Sequence, residues 1–282
     1  MQKKFLLTTL LNVLVFSVAS VQAKPALPTK ITGLKMPESV IQAKNGQIYV
    51  SEIGEFGKDG DGQISVIDKK GNISVFAKGM DDPKGLAIIG DKLYVADKNR
   101  VLEVTKDGTW QVYGAQMAFP GTPVFLNDLV ADKQSNLYVS DSGDLKSGGQ
   151  IYKIDKNGVV TLVVDSKNTD ILAPNGLLAE GRNQLLEVDF ESGILYRVNL
   201  STGATTKMAT GFNGGDGIVK TKAGKIIISD WKTGVIYELV AGKARVIKDG
   251  YKAAADIALM NDGTTLMVPD MKAGELDFID IK

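Results

Sequence analysis

Residues 127–141 read NDLVADKQSNLYVSD: a polar pair opens an apolar run, a Lys/Gln/Ser/Asn turn follows, and a second run ends in an acid. Two short runs around a turn are two strands folded back on one another. The same figure recurs from Glu38 to Glu52, Lys84 to Asp97, Asn175 to Asp189, Asp216 to Asp230 and Asp256 to Asp270. The opening positions lie 46, 43, 48, 41 and 40 residues apart, and the closing acids 45, 44, 48, 41 and 40. Two independent markers with one period are a poor fit to chance. Each figure is followed by two more alternating runs around a second turn, as in Gln150 to Asp155, the turn Lys156-Asn157-Gly158, and Val159 to Val164. Four short strands per repeat, with no helical periodicity, are the signature of a propeller blade. The sequence therefore predicts an all-β, six-bladed β-propeller with four-stranded blades. Its last repeat runs out after three strands, and an apolar run near Lys30 to Lys35 is expected to supply the fourth, closing the ring and covering a sheet edge.

Upstream of the first blade, Lys3 and Lys4 precede a mostly apolar stretch from Phe5 to Ala19, and Val21-Gln22-Ala23 ends in small residues. This pattern reads as a signal peptide, residues 1–23, cleaved after Ala23, leaving a single propeller domain over 24–282. The apolar stretch is too short and interrupted for a membrane span, and no other segment approaches one. The mature chain is expected to be a soluble periplasmic or secreted protein. Cleavage would leave 31 basic against 33 acidic side chains. Such a balance offers no basic surplus for phosphates, so nucleic acid is not an expected partner.

The 282 residues contain neither His nor Cys. Ser-His-Asp and Cys-His hydrolases, His- or thiolate-held zinc, iron–sulfur clusters and disulfides are all excluded. Chemistry is left to carboxylates, amides, Lys, Tyr, hydroxyls or a cation held by oxygen.

Propeller topology brings the six opening residues to the mouth of the central channel: Glu38, Lys84, Asn127, Asn175, Asp216 and Asp256. The closing acids fall on the same face, one strand further out. Carboxylate and amide oxygens aimed at one point form a hard donor set suited to Ca²⁺, Mg²⁺ or Mn²⁺, and Glu38 with Asp216 would balance a divalent charge.

On Pro37-Glu38-Ser-Val, Leu126-Asn127-Asp128, Pro174-Asn175-Gly176-Leu177 and Gly215-Asp216-Gly217, the chain resembles the senescence marker protein (regucalcin), gluconolactonase and luciferin-regenerating enzyme family, and more distantly the paraoxonases. The resemblance spans roughly residues 28 to 282. It implies metal ligation by Glu38, Asn175 and Asp216, with Asn127 as a fourth ligand or substrate contact. Calcium is the first expectation, with Mg, Mn or Zn as alternatives. The chain departs from the pattern at Phe125, where sugar lactonases of the family usually carry Arg, and it has no counterpart of the paraoxonase His pair.

The expected activity is hydrolysis of a small-molecule lactone or related ester. Asp216 or Glu38 would help deprotonate water, while Asn127, Phe125 and Lys84 would contact substrate. The alternative is a non-enzymatic ligand- or protein-binding propeller with a structural cation. Plainer readings stand beside these. Asn-Gly and Asp-Gly are common turn dipeptides. By itself Lys84 reads first as an outward, solvated side chain, and Asp256 first as a structural acid tied to backbone amides. Asp128 should point away from Asn127 by strand alternation. The closing acids, shared by all blades, read as architecture. Phe119 and Phe125 are expected as an apolar pocket wall, Trp110 and Trp231 as core or rim packing, and the Asp59–Asp61 loop as solvated.

Overall fold

A computed structural model describes residues 27–115 and 118–281. The proposed signal peptide lies outside the described residues. Twenty-four strands form six four-stranded antiparallel sheets arranged in a ring, a six-bladed β-propeller. Among the described residues there is no α-helix, and none long and apolar enough to cross a membrane.

In chain order the innermost strands are β2 (Pro37–Gln42), β6 (Pro83–Ile89), β10 (Leu126–Ala131), β14 (Pro174–Glu180), β18 (Gly215–Lys220) and β22 (Ala258–Leu259). Strand order within the first five blades follows the sequence, so each blade is a meander whose turns set the next register. The sixth sheet is completed by β1 (Lys30–Thr32), which pairs with β24 (Glu275–Asp280) through Lys30↔Asp277, Ile31↔Leu276 and Thr32↔Glu275. The Lys30 ammonium sits 2.6 Å from the Glu275 carboxylate, and Phe278 N–H donates to Thr29 O at 2.9 Å. The N-terminal strand thus closes the ring as the repeat count requires.

Both faces of every sheet are covered, and this sets the composition of the strands. Six apolar clusters each straddle a junction between neighbouring blades. At the closing junction Ile31 and Leu34 pack with Val40, Val50, Met267 and Leu276. No single blade could bury its own faces, so stability comes from the closed ring, without a disulfide.

Every closing acid but Asp230 accepts N–H bonds from the loop that enters its blade's innermost strand. Asp189 accepts N–H bonds from Leu172 and Ala173, both at 2.8 Å, and from Ser192 at 2.7 Å. Asp141 does the same for Val124, Phe125 and Gly143, and Asp270 for Lys252 and Ala253. Asp97 accepts from Asp81 and Asp82, and its other oxygen takes the Arg100 guanidinium at 2.8 Å. Each acid satisfies amides that no strand partner reaches.

Candidate functional site

The site begins with an irregularity repeated in five innermost strands. In β2, Pro37 pairs with Glu52 and Val40 with Val50, so Glu38 and Ser39 together face Ser51 alone. The same one-residue bulge falls at Lys84-Gly85, Asn127-Asp128, Asn175-Gly176 and Asp216-Gly217. A bulge breaks the strict alternation of side chains and re-aims the extra residue. Here it delivers five openers to one pocket rather than into the blade junctions. Three blades cap the bulge amide with a hydroxyl: Ser39 N–H on Ser51 Oγ at 2.9 Å, Asp128 N–H on Ser140 Oγ at 2.9 Å, and Gly217 N–H on Ser229 Oγ at 2.8 Å.

The glycines beside the openers provide room. A Cβ on Gly176 would lie 1.8 Å from Asp216 O, and one on Gly217 would lie 2.4 Å from Asp256 Oδ1. Neither has a positive φ. Asn175-Gly176 and Asp216-Gly217 are therefore not turns but places where adjacent inner strands approach too closely for any side chain.

The pocket has a volume of about 420 Å³. Its floor carries Glu38, Lys84, Asn127, Asn175 and Asp216, all buried. Four floor oxygens, Glu38 Oε2, Asn127 Oδ1, Asn175 Oδ1 and Asp216 Oδ1, are buried without any hydrogen-bond partner. Their neighbours hold them that way. Asn127 donates Nδ2–H to Ser142 Oγ at 3.0 Å, and Ser142 in turn donates to Pro174 O at 2.7 Å. The Asn175 side chain lies close enough to Asp216 to pull its carboxyl pKa down, against the larger effect of burial. Both amide oxygens are thereby left for something else.

The electrostatics are those of a site short of positive charge. Burial first, then the Asp216 and Asp256 carboxylates, push the Glu38 carboxyl well above the usual carboxylate range, against the pull of Lys84. Burial, then Asp128, does the same to Asp216, and again to Asp256. Among the described residues no three His, Cys, Asp or Glu side chains converge closely enough to hold an ion by themselves. The converging set is two carboxylates and two amides. Orphaned, buried, hard oxygens of this kind fit a divalent cation better than they fit an empty interior.

Several expectations resolve here. Asp128 turns away from Asn127, accepting Leu129 and Leu177 N–H bonds at 2.6 Å each and tying blade three to blade four; burial raises its carboxyl to about 6. Asp256 is buried, but its partner is the Ser39 hydroxyl at 2.5 Å and not a backbone amide. Lys84 is not solvated: it is 2% exposed. Its Nζ donates to Asp82 O at 3.0 Å and lies 4.3 Å from the centre of the Phe125 ring. Burial pushes its ammonium pKa down, while Glu38 and Asp82 hold it up. Phe125 lines the pocket, whereas Phe119 packs into the blade two–three core against Tyr152. Trp110 donates Nε1–H to Lys78 O far from the site, and Asp59 pairs with Lys98 at 2.5 Å.

The remaining walls are Ile53, Phe56, Leu145, Phe190, Trp231, Lys232 and Met271. Sequence reasoning missed most of them, although a signal was present: Ile53, Phe190, Trp231 and Met271 each directly follow a closing acid. Three of the four also pack together beside the pocket, Ile53 and Met271 in a buried cluster with Ala253 and Ala255, and Trp231 against it.

No protein-family profile matches the sequence, and no curated protein is detectably similar to it. Solved structures share the fold. A candidate gluconolactonase superposes with a TM-score of 0.73 at 16% identity, covering 91% of this chain and 94% of its own. The calcium-binding protein regucalcin from Agrobacterium tumefaciens gives 0.73 at 18% identity, with the same coverage of 91% and 94%. Virginiamycin B lyase from Staphylococcus aureus gives 0.63 at 14% identity, covering 90% and 98%. The resemblance read from the sequence is thus met at the level of fold, and the last neighbour shows that the fold alone does not choose the reaction.

Proposed function

We propose that this chain is an exported, divalent-cation-dependent hydrolase of a small-molecule lactone or related ester. The observation that carries the reading is the four partnerless oxygens of Glu38, Asn127, Asn175 and Asp216 around one pocket floor. These residues would hold the cation, Ca²⁺ before Mg²⁺, Mn²⁺ or Zn²⁺, because the donors are hard and two of them are anionic. The fold shared with a candidate gluconolactonase and with calcium-binding regucalcin supports the same choice. Export rests on the sequence pattern of residues 1–23.

When bound, the cation supplies Lewis-acid polarisation of the ester carbonyl. The remaining work falls to the chain. Water attacks the carbonyl carbon, and the carboxylate of Asp216 or Glu38 takes the proton that the water loses. Lys84 gives one N–H to Asp82 O and keeps its others for an oxygen of the substrate. Asn127 orients the substrate from the adjoining blade. The ring C–O bond then breaks, and the departing alkoxide takes the proton that the carboxyl of Asp216 or Glu38 holds, which returns the carboxylate to its starting state. The apolar walls exclude bulk water, which strengthens each of these polar contacts.

The test is proton release from a panel of lactones and esters by the purified protein with Ca²⁺, with Mn²⁺ and with chelator. Turnover that chelator abolishes is the expected result. Cation binding by a folded protein without turnover of any member would instead assign it as a binding propeller whose cation stiffens the ring.

A further inference from the structure

Above the floor, the pocket has almost nothing with which to read hydroxyls. Its walls are Phe56, Phe125, Phe190, Trp231, Ile53 and Met271, with Leu145 at the third blade. The polar atoms among them are turned elsewhere. Trp231 Nε1–H is directed to Met271 Sδ at 3.3 Å, so its donor is taken, and the Lys272 ammonium lies 3.9 Å from its ring centre. Lys232 donates to Phe190 O at 3.1 Å and to Glu191 at 3.3 Å, with its ammonium 4.2 Å from the Phe190 ring centre. Phe190 and Trp231 stand 6.1 Å apart at 58° and form one wall, with Phe125 on the blade-three side of the same pocket. Phe56 is 46% exposed at the rim, an apolar side chain left in water by the fold.

We infer that the substrate is an apolar lactone or ester, one that carries an alkyl chain or an aryl ring, and not a polyhydroxylated sugar lactone. This rests on the hydrolase reading for its reaction, but its argument is the wall. Each sugar hydroxyl buried there would lose its water and find no partner, at a cost of roughly tenfold or more in binding apiece. Each methylene laid against the aromatic wall gains about threefold to fourfold. The floor selects an ester carbonyl and the wall selects what is attached to it. The aromatic residues are specificity-determining and take no part in bond-making.

The experiment compares δ-valerolactone, its alkyl-substituted homologues of increasing chain length, dihydrocoumarin and glucono-δ-lactone as substrates of the full protein with Ca²⁺. In parallel, calorimetry follows the binding of an alkyl δ-lactam and of gluconolactam, neither of which is a lactone to be opened. The expected result is kcat/KM rising about threefold per methylene until the pocket is full, with glucono-δ-lactone about a hundredfold or more below the best alkyl δ-lactone. Trp231→Ala and, independently, Phe190→Leu should flatten that chain-length slope. Glucono-δ-lactone turned over as well as the alkyl lactones would overturn the inference and leave the hydrolase reading standing. Tight binding of the alkyl lactam with no lactone turned over would do the reverse. Failure of both lactams to bind, with no turnover, would remove both.

Discussion

Asp216→Asn should raise the melting temperature of the cation-free protein while abolishing its response to cation. Asp216 Oδ1 is buried with no partner, and burial together with Asp128 already holds the carboxyl well above its usual range. Replacing members of a buried ionic cluster by neutral side chains of similar volume is often neutral or stabilising, by about 1–4 kcal/mol, and the amide removes one of the mutually repelling carboxyls of Asp216, Glu38 and Asp256. In a chain of this length about 3 °C accompanies each kcal/mol, so the chelated variant should melt about 3–12 °C above the chelated parent. Calcium at about a hundredfold over its Kd stabilises the parent by about 2.7 kcal/mol, or about 8 °C, and should leave the variant unmoved. The assay is differential scanning fluorimetry at pH 8 with and without Ca²⁺. Asp189→Asn is the contrasting variant. Its carboxylate accepts three N–H bonds, so the amide should lower the melting temperature with and without cation and keep the gain between the two states. An Asp216→Asn protein that gains as much from Ca²⁺ as the parent would refute Asp216 as a donor. One that melts below the chelated parent would refute the unpaired-charge argument itself.

The pH dependence follows from the same shifts. Glu38, Asp216 and Asp256 are all raised in the fold, so above about pH 4 the folded state binds more protons than the unfolded chain. Stability without cation should therefore fall as pH rises from about 4 through the raised folded values, whereas the gain from Ca²⁺ should grow as pH rises above about 4, as protons cease to compete; a gain that does not change with pH in melting experiments would count against the donor set. Gly176→Ala places a Cβ 1.8 Å from Asp216 O and must push blades four and five apart, which should cost about 2 kcal/mol or more in denaturant unfolding and weaken Ca²⁺ binding by calorimetry. Glu187 is fully buried with both carboxyl oxygens unpartnered, its pKa raised first by burial and then by Asp189. Glu187→Leu should stabilise the fold by about 1–3 kcal/mol in the same unfolding assay, and a loss of stability would show that the carboxyl supports the neighbouring Asn175 strand.

That last residue shows where the sequence stops being readable. The period, the blade count and the closing strand were legible because they depend on hydrophobic alternation and turn chemistry, which are local. The openers were legible as a set because the topology makes equivalent repeat positions converge. What the openers do at that point was hidden by the bulge. Strict alternation cannot place Asn127 in a pocket and Asp128 at the next blade's backbone while leaving the flanking leucines in register, but one extra residue opposite Ser140 can. The Gly after Asn175 was ambiguous for the same reason: as a dipeptide it suggests a turn, and only the approach of Asp216 O shows that it is a spacing device. Lys84 was misleading because a lone lysine is usually solvated, and nothing nearby in sequence indicated the Phe125 ring over it.

Comparing equivalent positions across the blades recovers some of this without coordinates. Two residues before the closing acid, five blades have Val50, Val95, Val139, Ile228 and Val268, and the fourth has Glu187. One residue before it, blades one, three and five have Ser51, Ser140 and Ser229, whose hydroxyls cap the bulge amide, while the fourth has Val188. The fourth blade, like the second with Ala96 and the sixth with Pro269, has no hydroxyl there, but it alone has a carboxyl one position along, near the Asn175 N–H, which draws the Glu187 pKa down without forming a full hydrogen bond. That carboxyl, found in no other blade at this step, stands behind Asn175, a donor of the floor. A repeat protein records its function where the repeats disagree, because the architecture accounts for everything they share.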